Sequence, residues 1–452
     1  MNDDAYVAEN PFPGLRPFED EEGHLFFGRE AQVDELLGRL RRGRFVAVVG
    51  TSGSGKSSLV RAGLFPALRV GTMSGAGSRW RIVAMRPGND PIGNLALELE
   101  RGGVLGDEGD PELRVDLAHA ILERGGLGLV EIARQARLAP DENLLVVVDQ
   151  FEELFRFAQL DVNGAAAFVK LLLEATSYTG LPLYVVLTMR SDFLGDCAKF
   201  RDLPERINDG LFLIPRMTRE QLDRAITGPV MVAEGAIAPR LVNRLLNDVG
   251  DDPDQLPVLQ HALMRTWEVW ESEHAAKEPL DIRHYEATGG LGKALDQHAE
   301  SIYAQIPEAL HDVARRAFSA ITELGSDNRG IRRAVELAEL RAITGAQDED
   351  LRLVVEAFRA PGCSFLMPPR SVELKDHTVV DISHESLMRV WARLDEWVKD
   401  EARSAQIYRR LALAASLHAE GRAALWRDPD LAIAEEWRQS AAPTAAWAER
   451  YA

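Results

Sequence analysis

The stretch that most limits how this chain can fold is Phe45–Leu59, FVAVVGTSGSGKSSL. An apolar, largely β-branched run, Phe45–Val49, meets a glycine-rich turn, and a helical pattern begins at Lys56. Gly50, Gly55, Lys56 and Ser57 match G-x-x-x-x-G-K-[ST] without a mismatch, in the strand–loop–helix context the motif needs. The residue types follow from the chemistry. The small residues Gly50, Ser52, Gly53, Ser54 and Gly55 let backbone N–H groups converge on phosphate oxygens. The helix that opens at Lys56, Ser57 and Ser58 adds its positive dipole end. Lys56 is placed to reach the β- and γ-phosphates and the Ser57 hydroxyl to ligate Mg²⁺. The stretch implies a nucleoside-triphosphate site.

The rest of the 452 residues must supply about three domains. At 46% hydrophobic and 27% charged the composition is that of an ordinary globular protein. A net charge of −19 disfavours general affinity for nucleic-acid backbone. Cys197 and Cys363 offer neither a disulfide framework nor zinc spacing, which suits a reducing cytoplasm. The acidic, Pro-rich start is unlike a signal peptide, and no apolar run approaches the roughly 20 residues that span a bilayer. The expectation is a soluble cytoplasmic protein without a membrane partner.

Asn10–Phe18, with prolines at 11, 13 and 17, reads as an extended lead-in. An amphipathic helix is expected from Phe26-Phe27-Gly28-Arg29-Glu30 to about Leu40. Besides the P-loop strand, strands are expected at Arg81–Met85, Leu144–Val148, Pro182–Thr188 and Leu211–Ile214. Helices separate them at Pro91–Glu100, Pro111–Glu123 and Ala165–Thr176. Short strands apolar on both faces, alternating with helices, predict an α/β fold with a parallel sheet over residues 1–215. Thr218 and Gln221 have capping-box spacing and open a helix expected to stop at Gly228-Pro229. Further helices at Pro239–Val249, Leu256–Glu273 and Leu291–Gln305 make 216–305 an all-helical lid domain. Between helices in 306–398, the apolar runs Ser364–Pro369 and His377–Ser383 read as a hairpin, which suggests a winged helix. Residues 399–452 form a helical extension anchored by Trp426, Trp437 and Trp447.

Leu144–Asp149 has the form of a strand that ends in a Mg²⁺-linked carboxylate. Glu152 and Glu153, one helical turn on, either orient the attacking water or match the helix dipole, and the sequence does not choose between them as base. Arg190 ends another buried strand, where it either senses the γ-phosphate or pairs with Asp192 or Asp196. Phe26 and Phe27 serve equally as an edge plug, Arg29 as a surface ion pair, Pro257 as a helix start and His384 as a helix cap.

Taken together, these residues resemble the STAND branch of P-loop ATPases, which is related to AAA+ proteins. The closest resemblance is to the bacterial novel-STAND class that begins PFPGLRPF…FFGRE, and it spans nearly the whole chain. The resemblance implies that Phe27-Gly28-Arg29-Glu30 approaches the adenine and that Asp149-Gln150-Phe151-Glu152-Glu153 is an extended Walker B. It makes Arg190 a sensor arginine, lets Pro257 pack on the base and brings His384 to the β-phosphate of bound ADP. Gln255 stands where the family has glycine. Such proteins normally carry sensor and effector modules, which are expected here in a longer chain or in trans. The function implied is an ATP/ADP- and Mg²⁺-dependent switch with slow turnover: ADP closes it, ATP lets it open and form homo-oligomers, and the setting is defence or stress signalling. Two other classes compete. One is an AAA+-like remodelling ATPase or clamp loader. The other is a winged-helix DNA-binding regulator with Arg332, Arg333 and Arg341 on one helix face, against which Glu336, Glu339 and the net charge argue.

Overall fold

A computed structural model describes residues 10–451 apart from 74, 137, 140, 158–161, 251–254, 274–277, 326–329 and 361. The chain divides into two compact units. The first holds Pro17–Ile237 and Gly250–Leu256; the second holds Phe12–Arg16, Ala238–Val249 and Pro257–Ala452.

In the first unit, β1 (Phe45–Gly50), β2 (Arg79–Met85), β3 (Glu142–Val148), β4 (Leu183–Arg190) and β5 (Leu211–Leu213) form one parallel sheet in the order β2-β3-β4-β1-β5. Each lies within two residues of the apolar run that marks it. The strands alternate faces with a period of two. Phe45, Ala47, Val49, Val146, Val148, Val185 and Leu187 face one core with the helices Pro91–Arg101, Pro111–Glu123, Gly128–Gln135 and Val162–Ser177. Val46, Val48, Leu145, Val147 and Val186 face another, with the helix Glu30–Gly43 and the helical run that follows the P-loop. Helices on both faces leave a parallel sheet no wet side, which is why its strands read as unbroken apolar runs. Asp90 and Asp110 cap two of these helices by accepting the N–H groups of Gly93 and Glu112, with Pro91 and Pro111 just inside.

Three details differ from the sequence expectation. Phe26–Arg29 lies outside the helix, because Gly28 takes a φ of +87°, a left-handed conformation that ends helical continuity. The helix capped by Thr218 and Gln221 does not stop at Gly228-Pro229 but runs Arg219–Val232. An interior proline costs about 3 kcal/mol. Here it falls in the last turn, closed by the Ala233 N–H on the Pro229 carbonyl, between the fully buried Ile226 and Val230. The segment after the P-loop is helical throughout, yet its middle, Leu59–Leu64, is a π-helix.

The second unit begins with the helices Pro239–Val249, Leu256–Glu273 and Gly290–Gln305, with Ile282–Ala287 added, a segment too short to announce itself by periodicity. Beyond His311–Ala320 come a two-stranded sheet, β6 (Thr322–Leu324) with β7 (Gly330–Arg332), and a three-stranded antiparallel sheet. The latter pairs β8 (Val335–Glu336), β10 (Val379–Ile382) and β9 (Leu366–Met367) in that order. The hairpin was legible; β6, β7 and β8, at two or three residues each, were not. They overturn the placing of Arg332, Arg333 and Arg341 on one helix face. Arg332 lies on β7 and pairs with Asp381, Arg333 follows it, and only Arg341 is helical, paired with Asp348 and Asp376. The helix Ala392–Ala419 runs straight through position 398, and Asp430–Ala441 and Ala445–Glu449 bring the buried Trp437 and Trp447 into the same core. Trp426 is half-buried beside Arg410.

Trp391 anchors that core. It is fully buried, lies edge-on to Phe318 with centroids 5.2 Å apart, and donates its indole N–H to Glu300 at 2.6 Å. Trp391→Ala is expected to cost about 3–5 kcal/mol, read by hydrogen exchange as lost protection in the second unit while the five-stranded sheet stays protected. Uniform loss in both units would contradict this.

Candidate functional site

Parallel pairing of β1 and β3 with β4 brings the carboxyl ends of all three strands together. Asp149, just past β3, is 3% exposed. Its Oδ1 accepts the Ser57 hydroxyl at 2.8 Å and the Thr188 hydroxyl at 2.5 Å, and its Oδ2 faces Arg61 at 3.4 Å. Burial acts to raise the Asp149 pKa, but the charges of Arg61 and Arg86 and the two hydroxyls outweigh it and hold the carboxyl below its usual range. A carboxylate and a hydroxyl in contact are the hard oxygen donors that Mg²⁺ takes, with phosphates and water completing its shell. Among the described residues no group of three His, Cys, Asp or Glu side chains forms a metal cage. The contact of Ser57 with Asp149 fits a cation shared with a phosphate ligand.

The loop is shaped for close approach. Gly53 and Gly55 have φ of +73° and +86°, and a Cβ on Gly50 would sit 2.6 Å from the Ser54 hydroxyl. Lys56 Nζ donates to the carbonyls of Gly50 at 3.2 Å and Thr51 at 2.8 Å. Ser52 sits half-buried in the turn ahead of Gly53. Ser58 faces elsewhere: its Oγ accepts the Phe18 N–H at 3.2 Å.

The two neighbouring glutamates part company. Glu152 is 6% exposed, and its Oε2 accepts the Arg190 N–H at 3.3 Å. Burial raises its pKa, opposed chiefly by Lys56. Glu153 is half-buried and accepts the Gly88 N–H at 3.1 Å, bracing the turn after β2. Gln150 between them and Asp149 has a φ of +58°, held by its N–H on Thr188 Oγ1 at 3.0 Å and by the Phe151 N–H on the Thr188 carbonyl at 2.9 Å. Arg190 pairs with Asp192 and lies over the Phe193 ring.

Arg29 is no surface ion pair. It is 4% exposed, donates to the Pro215 carbonyl at 2.8 Å and the Ser54 carbonyl at 3.3 Å, and burial lowers its pKa to about 10. It braces the P-loop against the chain leaving β5. Gly28 meets the helix Arg219–Val232 so closely that a Cβ would lie 2.4 Å from the Gln221 carbonyl, and the Phe27 ring covers Gly228 of the same helix.

Pro257 and His384 belong to the second unit. Pro257 stands in the first turn of its helix, half-buried. His384 Nδ1 accepts the Ser386 N–H at 3.1 Å, so in the neutral ring the proton resides on Nε2. Sequence reasoning missed Thr188, Arg61 and Glu19. The available signals were a polar residue near the end of an otherwise apolar strand, and an arginine four positions past Ser57 on one helix.

Because the fold raises the Glu152 pKa above its ordinary 4.5, its ionised form is disfavoured, and the penalty grows as pH rises from 4.5 to the folded value and is complete above it. Glu152→Gln is therefore expected to raise the melting temperature at neutral pH, with the gain fading as pH falls from the raised folded value toward about 4.5 and absent below it. Thermal unfolding from pH 4 to 8 checks this; a gain that persists unchanged at pH 4 would exclude the linkage.

The model of the family "Novel STAND NTPase 1" matches residues 11–424. No curated protein matches the sequence. Among solved structures, the chain is similar to the Aeropyrum pernix ORC2 protein in its ADPNP-ADP complexes: 15% identity, 89% of this chain and 99% of that one, TM-score 0.45. It is also similar to Cdc6p from Pyrobaculum aerophilum, at 14% identity, 83% and 94% coverage and TM-score 0.35. Drosophila ORC bound to DNA matches at 15% identity, 87% and 93% coverage and TM-score 0.41. No helix among the described residues is long and apolar enough to cross a membrane.

Proposed function

The chain belongs to the novel STAND NTPase 1 family, and on that footing we propose that it is a Mg²⁺-dependent ATPase that works as a nucleotide-operated switch. The observation that carries the reading is the contact of Ser57 with the buried Asp149, beside a buried Glu152 that feels the charge of Lys56. Lys56 and the loop N–H groups hold the phosphates, and Ser57 and Asp149 hold the cation. Mg²⁺, when bound, offsets the charge that develops on the transferring phosphoryl group. Glu152 is the base. Its raised pKa brings it closer to working pH than a solvated carboxylate, whereas Glu153 is committed to the β2 turn. Arg190, the last residue of β4 and two positions past Thr188, is read as the sensor of the γ-phosphate.

The largely helical region that follows the five-stranded sheet supplies the switch. Residues 216–305 act as the lid and 306–398 as a winged helix, a reading supported by the order helix, β6, β7, β8, two helices, β9 and β10. His384, presenting Nε2–H, donates to the β-phosphate of ADP, and Pro257 packs on the base. ADP thereby holds a closed arrangement that ATP releases to oligomerise, since a nucleotide shifts such an equilibrium only by its differential affinity for the two states. Family membership points to bacterial defence or stress signalling, with sensor and effector modules elsewhere in a longer chain or in trans. Nucleic acid is disfavoured as a partner: the second helix of the would-be helix–turn–helix opens Asp348-Glu349-Asp350, which repels phosphate.

The purified protein should carry bound ADP and turn over ATP below about 1 s⁻¹. Lys56→Ala should abolish nucleotide binding. Glu152→Gln should retain binding and lose about a hundredfold or more in turnover, while Glu153→Gln loses far less. Calorimetry and phosphate release read these outcomes. Rapid basal turnover would favour a remodelling motor, and the reverse ranking of the two glutamates would make Glu153 the base.

A further inference from the structure

The segment Phe18–Gly23, at the end of the Pro-rich lead-in, is strapped along one face of the P-loop helix. The Phe18 N–H donates to Ser58, Glu19 binds Arg61, Asp20 pairs with Arg69, and a Cβ on Gly23 would lie 2.7 Å from Pro66 and 3.0 Å from the Ala62 carbonyl. Positions 58, 61, 62, 66 and 69 follow helical spacing. Arg61 is the member of this face that also reaches the site. Its Nη1 donates to both oxygens of Glu19 at 2.8 Å, and its Nη2 faces Asp149 Oδ2 at 3.4 Å. The Asp149 oxygen that the Ser57 and Thr188 hydroxyls do not engage is thus covered by a guanidinium.

From this geometry we infer that Arg61 is a positioning residue that competes with the nucleotide's divalent cation for Asp149 and passes the outcome to the lead-in through Glu19. The inference rests on the nucleotide reading above. A buried carboxylate needs one compensating positive charge, and Arg61 and a cation both supply it. Two cations on one carboxylate repel, so each weakens the other's hold. Glu19 sets the balance: the more firmly it holds Arg61, the less the guanidinium opposes a cation at Asp149. The segment it belongs to follows Phe12–Arg16, a stretch that belongs to the second unit.

Opposite-signed variants test the competition. In MgCl₂ titrations at saturating ADP, followed by calorimetry and by thermal unfolding, Arg61→Gln should tighten Mg²⁺ about fivefold. Glu19→Gln should weaken it about threefold, and Arg61→Lys should stay near wild type. Glu19 is 39% exposed at its side chain, so its variant tests the idea even where Arg61→Gln does not fold. A purely structural role would move both variants the same way. Mg²⁺ affinity that is unchanged, or shifted in one direction by both, would overturn the competition while leaving Lys56-dependent ADP binding intact. Loss of any Lys56 dependence would instead overturn the nucleotide reading and this inference with it.

Discussion

One buried carboxylate holds this structure's working end together. Asp149 at the end of β3 costs several kcal/mol to remove from water unless partners surround it. Those partners come from different elements: Ser57 and Arg61 from the helix after β1, and Thr188 from β4. To satisfy all three at once, three strand ends must hold a single register. The pairing of Gly50 with Arg190 and of Val148 with Leu187 meets that demand. Sheet register and site geometry are therefore the same constraint, seen at different scales.

The same economy separates Glu152 from Glu153. They are consecutive on the chain, but Glu152 lies in the turn after β3 whereas Glu153 opens the helix Glu153–Phe157, so their side chains leave in different directions. One turns into the buried space near Lys56, where desolvation raises its proton affinity, and the other turns to the β2 loop and accepts the Gly88 N–H. Chemistry and scaffolding are thus divided between identical side chains by direction alone. The strain this requires is visible at Gln150, whose left-handed backbone is held by both polar groups of Thr188.

Much of the first unit was legible because its strands are buried on both faces, which writes each as an unbroken apolar run, and because several helices announce themselves with Asp-Pro or Thr-x-x-Gln starts. The errors have a common cause. Pro229 reads locally as a stop, yet buried Ile226 and Val230 carry the helix through it. β6, β7 and β8 are too short for a period to register, and without them Arg332 and Arg333 passed for helix residues. At the site, Lys56, Ser57 and Asp149 stood in motifs whose spacing is local. Thr188, Arg61 and Glu19 did not, since each matters only through a partner 39, 88 or 42 positions away.

The sequence by itself determined that a nucleotide-binding loop sits between a buried strand and a helix, because backbone geometry and residue type within fifteen positions suffice to make a phosphate cradle. Only the tertiary structure decided how the cradle is completed. It selected Thr188 and Arg61 as the companions of Asp149, gave Glu152 rather than Glu153 the buried position, and turned Arg29 from a surface charge into a brace on Ser54. Those choices depend on which strand ends and helix faces meet when apolar surface leaves water, a three-dimensional outcome that no single stretch of the chain contains.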